Sequence, residues 1–202
     1  MKLFPAAAAA LIAAAPAFAS ASDFLVDFEH QWEYGTAVDN TYAAQGVSFV
    51  NVLGLSNQAP DFVYYSGAPS PLGTAFAQTF GADDRAFMNV AAGVSNALTF
   101  FYSTPAAISG AISAYSGLNG TGMLLGTFSL IANDATSLYD TWTAANFAFK
   151  GTARSFDLTA SANVVGFDNI AGVTPVPEPS TIALMLVGGA GMLRFAARRR
   201  RT

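Results

Sequence analysis

Between residues 23 and 170 the apolar positions of this chain follow a period of two, not the longer period of a helix. The alternation is clean over 46–52 (Gly-Val-Ser-Phe-Val-Asn-Val) and weaker over 23–28. Alternate side chains of a strand point to opposite faces, so such runs predict half-buried strands. Further strands are expected at 62–65, 86–90, 97–102, 111–115, 123–132, 146–150, 154–159 and 164–170. Turn-forming residues separate them, at 54–60, 66–73, 81–84, 117–122 and 133–136. Residues 61–80, with Pro69 and Pro71, read as a long loop carrying a short strand. Many short strands at spacings near ten residues predict an all-β fold, a single β-sandwich. No amphipathic stretch of helical period and no internal repeat interrupts the pattern.

Both ends depart from it. Met1-Lys2 and an Ala-rich apolar run to Ala15 precede Ala17-Phe18-Ala19 and Ala19-Ser20-Ala21, two frames for signal cleavage. Residues 1–21 are thus expected to be a signal peptide, with the mature chain starting at Ser20 or Ser22. At the other end, prolines 175, 177 and 179 keep the chain extended. Ser180 or Thr181 can then cap an apolar helix over 182–197. At helical rise it covers about 24 Å, short of a hydrocarbon core of about 30 Å. Arg194 can snorkel, and Arg198, Arg199, Arg200 and Arg201 form a cytoplasmic stop under the positive-inside rule.

A simple single-pass anchor is one reading of this short transmembrane helix. The ordered set of Pro177-Glu178-Pro179, apolar helix and terminal arginines also resembles the sorting signal of PEP-CTERM proteins. That resemblance covers 176–201 and implies several partners. Secretion machinery would export the chain, and the inner membrane would hold it transiently. An exosortase would then process it near the sorting motif Pro177, Glu178 and Pro179. The implied destination is the cell surface or extracellular matrix, in company with exopolysaccharide or biofilm material. It implies no activity for the domain at 22–174, which lies between the leader and the sorting segment at 175–202.

Charge changes the picture once the ends are set aside. Residues 22–174 hold twelve acidic and only three basic side chains (Arg85, Lys150 and Arg154), a net charge of −9. Such a surface argues against nucleic acid, whose phosphates need cationic contacts. It suits divalent cations or neutral glycans. Cysteine is absent, which removes disulfides and thiol nucleophiles.

A second resemblance spans most of 23–171. Val26-Asp27-Phe28-Glu29, Gly46-Val47-Ser48-Phe49, residues 112–117 with Leu124-Leu125-Gly126, and the closing run 165–170 look like a jelly-roll domain frequent among PEP-CTERM proteins. Such domains are similar to carbohydrate-binding, lectin-like sandwiches, in which the first and last strands lie side by side.

Candidate chemistry follows from these placements. Asp27 and Glu29, two apart, would share a strand face, with Asp168 and Asn169 on the closing strand nearby. Oxygen donors of this kind suit a structural calcium ion, the only cofactor the sequence suggests. Asp83-Asp84 after Gly81 reads as a turn. Enzymatic readings are poor, because the only histidine, His30, offers neither a triad nor a zinc site. Residues 117–122 read as a hairpin turn, not a phosphate loop. Among the aromatics in or near loops (Trp32, Tyr34, Tyr42, Phe62, Tyr64, Tyr65, Tyr139 and Trp142), Trp32, Tyr64 and Tyr65 flank polar Gly/Pro-rich segments. These three are the sequence's candidates for stacking on sugar rings. The expectation is a non-enzymatic surface protein that binds glycan. A structural adhesion or matrix protein without a specific ligand, or a glycan-degrading enzyme using paired carboxylates, are the alternatives.

Overall fold

The computed structural model describes residues 23–33, 35–56 and 63–175. The leader, the Pro-Glu-Pro motif, the apolar helix and the terminal arginines lie outside the described residues. Among those described, no helix is long and apolar enough to cross a membrane.

The architecture is all-β. In chain order the strands are β1 (Asp23–Val26), β2 (Thr36–Ala37), β3 (Val47–Val50), β4 (Val52–Ser56) and β5 (Gly73–Ala77). They continue with β6 (Phe87–Ser103), β7 (Ile108–Tyr115), β8 (Leu124–Leu130), β9 (Thr143–Asp157) and β10 (Gly166–Val173). The two long strands organise the rest. β6 and β9 pair antiparallel along nearly their whole lengths, with register shifts between Asn89 and Val94 and between Ser95 and Ala97. At these bends Gly93 and Gly151 take φ of 86° and 96°, a region open to glycine at little cost. Bulged strands of this kind can pass from one layer of a sandwich to the other. The first half of β6 bonds β3, and its second half bonds β10. One layer is therefore β3, the first half of β6, the second half of β9, then β7 and β8. The other runs β2-β4-β5-β10 to the second half of β6, with β1 also on β10.

The aromatic core between the layers draws on both halves of the long strands. Met88, Phe100, Phe147, Phe156 and Phe167 are all buried there. Removing a side chain of that size from water contributes about 1.5–3 kcal/mol each.

β1 pairs β10 in the register Val26↔Ile170, so first and last strands do lie side by side. The hairpin at 117–122 joins β7 to β8 as expected, and Asp84 closes the 80–84 turn by accepting the Phe80 and Gly81 N–H groups at 3.0 and 2.8 Å.

Other boundaries differ from expectation. The runs 86–90 and 97–102 are one bent strand, as are 146–150 and 154–159, because the intervening glycines bend the ladder without ending it. The predicted turn at 54–60 begins inside β4. Residues 63–65 form no strand and enter a turn. β5 carries five buried residues in a row, Gly-Thr-Ala-Phe-Ala, since loops cover its outer face as well.

Candidate functional site

β4 and β5 present two faces. Gly54, Gly73, Ala75 and Ala77 point into the sandwich, where Trp32 fills the space above the two glycines. A Cβ added at Gly54 would lie 2.1 Å from the Trp32 ring. Trp32 is 8% exposed, and its Nε1–H donates to the Phe28 carbonyl at 2.9 Å. It is a core residue with no ring face open to a sugar, which corrects its place among the stacking candidates. His30 packs edge-on against Trp32 and Tyr42, at centroid distances of 5.2 and 5.7 Å.

The outer face is built differently. Leu53 stands opposite Phe76 and Leu55 opposite Thr74; Gly166 of β10 continues the row from Phe76 to Ser103 of β6. Two loops, 63–72 and 133–142, cover this floor. They meet where the Tyr65 N–H donates to the Leu138 carbonyl at 2.9 Å. Tyr65, Phe76 and Tyr139 form a closed triangle of rings with centroids 5.0–5.5 Å apart, and Tyr64 extends it at 6.1 Å from Tyr65. Tyr64 is 41% exposed. A cavity of about 220 Å³ lies here, floored by Leu53, Leu55 and Phe76, walled by Tyr65 and Tyr139, and rimmed by Gln78 and Asn163. Thr74 and Ser103, on the same face, are fully buried with hydroxyls that find no hydrogen-bond partner among the described residues.

Each loop is held by a carboxylate. In the second, buried Asp134 accepts from the Thr136 hydroxyl at 2.7 Å and from the Tyr139 N–H at 2.8 Å. Burial pushes this carboxyl up, but those hydrogen bonds outweigh it and hold it below the usual range. Tyr139 thereby keeps a φ of 57°, and Tyr65 sits at 64°, both left-handed conformations rare for aromatics. Burial and the Asp134 charge raise the Tyr139 phenol.

In the first loop, Ser70 and Leu72 are the points of attachment. Asp168 accepts the Ser70 N–H at 2.7 Å, Asn169 accepts the Ser70 hydroxyl at 2.8 Å, and Glu29 accepts the Leu72 N–H at 2.7 Å. Asp27 accepts from the Tyr42 hydroxyl at 3.1 Å and from the Glu29 N–H at 3.2 Å. Asp27 and Glu29 do not share a strand face, because β1 ends at Val26 and Phe28 turns the chain with a φ of 53°. Asp168 is fully buried, and burial together with the Glu29 charge pushes its carboxyl up to about 7. Burial and the Asp27 carboxylate also raise the Tyr42 phenol.

These oxygens are the kind calcium accepts. As they stand, however, all four side chains already accept hydrogen bonds. Among the described residues no group of three or more His, Cys, Asp or Glu side chains is placed to hold a metal ion. Calcium here is a proposal with its own test.

Of the sequence's stacking candidates, the structure brings Tyr64 and Tyr65 together with Tyr139 and Phe76. Phe76 was hidden because its strand shows no alternation. A wider groove of about 590 Å³ beside β3 has Phe49 in its lining, but that ring is buried in the core, and the groove's Asn89 and Asn119 side chains are spent partly on each other, at 2.7 Å.

Residues 175–201 match the family model described as the PEP-CTERM protein-sorting motif. The chain carries an exosortase sorting signal. That motif marks an exported protein for the cell surface. No curated protein matches the sequence. Solved structures similar in fold include the cleaved adhesin domain of Lys-gingipain from Porphyromonas gingivalis. It is 14% identical, with a TM-score of 0.46, and the match covers 75% of this chain and 97% of that one. A CBM22-1 xylan-binding domain from Paenibacillus barcinonensis is 9% identical with a TM-score of 0.44, covering 79% and 99%. A CBM35 domain from the same organism is 14% identical with a TM-score of 0.39, covering 75% and 98%.

Proposed function

We propose that this exosortase-sorted protein is a non-enzymatic surface or matrix component whose sandwich binds a neutral glycan at its outer aromatic face. The observation that carries the reading is the Tyr65–Phe76–Tyr139 triangle. It is an aromatic cleft with polar rims, held by two carboxylate-clasped loops. Flat rings offer a sugar's apolar face a stacking surface, while Gln78 and Asn163 stand at the edge with polar groups. None of the domain's three cations, Arg85, Lys150 and Arg154, lines the cleft, so an anionic sugar would find no charge partner there. Exopolysaccharide of the surrounding matrix is the ligand class this favours.

Retention on a panel of neutral polysaccharides tests the reading. Tyr65→Ala and Tyr139→Ala should each weaken retention about tenfold, the loss of one ring contact worth roughly 1.4 kcal/mol. Retention equal in wild type and both variants would leave the structural-matrix alternative. Release of soluble sugar from a labelled polysaccharide would favour the enzyme.

The sorting half has its own test. Replacing Pro177, Glu178 and Pro179 by Ala should leave an unprocessed form in the inner membrane. Surface material that still ends in the intact Arg198–Arg201 block, seen by mass spectrometry, would favour the simple anchor.

A further inference from the structure

We propose that β8 is an association edge at which two copies of this chain pair antiparallel, continuing one sheet from copy to copy. β8 ends the strand order of its layer, with β7 on one side and no strand on the other among the described residues. The other edges are short or covered. β2 has two residues. Beside β3, the 39–46 segment bonds Phe49 and Ala91 through the Asp39 and Gly46 carbonyls. On β1, the Leu25 N–H is taken by the Gln45 side chain.

Exposed edges are usually guarded by charge or proline, since their free N–H and C=O groups template another strand. β8 has neither: 123–131 reads Met-Leu-Leu-Gly-Thr-Phe-Ser-Leu-Ile. In fact no charged side chain occurs anywhere between Arg85 and Asp134. In a domain of net charge −9, β8 and the β7 strand paired with it carry no charge, so two copies can pair there without setting carboxylates of these strands against each other. That singles out a second copy as the occupant, because any basic partner would be drawn elsewhere on this surface.

The sequence of the strand also selects a register. A two-fold axis through Thr127 sets Thr127 against its own counterpart, within the part of β8 that follows the register shift at Leu125. Thr127 and Ser129 are the exposed residues of this part of the strand, so their small polar side chains share its outward face. Phe128 then falls opposite Gly126, both on the face turned to the core, where Phe128 packs on Phe147. A single strand pair buries little area, so this contact is weak alone and gains from the high local concentration of a cell surface.

The chain has no cysteine, so single-cysteine variants of the full chain, displayed on the cells that export it, read the contact directly. Opposed residues in an antiparallel pair lie about 4.5–5.5 Å apart at Cα, within disulfide reach. Under mild oxidation Thr127→Cys should give a homodimer of twice the chain mass. Ser66→Cys, exposed on the first loop, should stay monomeric. Ser129→Cys, exposed on the same face but two residues off the axis, should cross-link poorly. All three positions are exposed surface, so the fold is not at stake. Several outcomes would overturn the proposal: Thr127→Cys remaining monomeric, Ser66→Cys or Ser129→Cys dimerising equally, or an adduct containing a different protein.

Discussion

The inner and outer faces of the β4–β5 pair are made from alternate residues of the same two strands, and both carry aromatic clusters. Inside, Trp32 rests on Gly54 and Gly73 with its indole N–H bonded, and no space remains. Outside, Tyr65 and Tyr139 lean on Phe76 and leave a cavity, and on the same face two buried hydroxyls find no partner among the described residues. The inner cluster is finished by the chain itself. The outer one is held in place by loop clasps at Asp134 and Asp168, with strained tyrosine backbones that packing alone would not choose. Residue type therefore does not separate core from site; satisfaction of each group does.

The largest effect should come from breaking the inner face. Trp32→Ala removes a buried aromatic from a site backed by two glycines, and such truncations cost about 3–5 kcal/mol. For a domain of this size that lowers the melting temperature by roughly 6–20 °C. Thermal unfolding checks it. A melting point unchanged by Trp32→Ala would mean that the indole is not part of the core.

Much of this contrast was hidden in the sequence, for identifiable reasons. The alternation at 46–52 and the turn chemistry at 117–122 are local signals; the turn formed where expected, while the run broke at Asn51, whose φ of 52° ends β3 and sends β4 to the other layer. Trp32 has polar neighbours in the chain, yet the tight cover is supplied by Gly54 and Gly73, far away in sequence, so local composition misplaced it. Phe76 was missed because β5 is buried on both faces, which erases period two. Tyr64 and Tyr65 were legible as loop aromatics, but their meeting with Tyr139 depends on pairing across the sheet. The four oxygen-bearing residues at 27, 29, 168 and 169 do gather near one another. Their roles as loop clasps follow from backbone N–H groups of Ser70 and Leu72, which no side-chain pattern announces.

The clasp gives the next effect in size. Asp168 titrates at about 7 in the fold and near 3.9 in an unfolded chain. Between those values the folded state binds more protons than the unfolded one, so stability falls as pH rises. The contribution is fully present below about pH 4 and lost by about pH 7, amounting to at most about 4 kcal/mol at 1.36 kcal/mol per unit. Melting curves across that range should show the decline, and Asp168→Asn should flatten it. A calcium ion, if the site takes one, would act at the upper end of the range by neutralising the ionised carboxylates. Millimolar calcium at pH 8 should then restore several degrees of melting temperature in wild type and none in Asp168→Ala. Equal curves with calcium and with chelator would leave the hydrogen bonds as the whole clasp.

The smallest effect sharpens the comparison most, because its sign differs between the faces. On the outer face the buried Thr74 hydroxyl has no partner among the described residues, so Thr74→Val removes an uncompensated polar group at nearly constant shape. An unsatisfied buried hydroxyl costs about 1–3 kcal/mol, and relieving it should raise the melting temperature by a few degrees. On the same strand pair the Ser56 hydroxyl accepts the Trp32 N–H and donates to the His30 carbonyl at 3.2 Å. Ser56→Ala should therefore lower stability by about 1 kcal/mol, since it strands a donor and an acceptor. If both substitutions destabilise alike, the Thr74 hydroxyl is satisfied in solution and the outer face is as complete as the inner one. If Thr74→Val stabilises the protein and leaves polysaccharide retention unchanged, the hydroxyl belongs to the closed layer beneath the cleft and takes no part in binding.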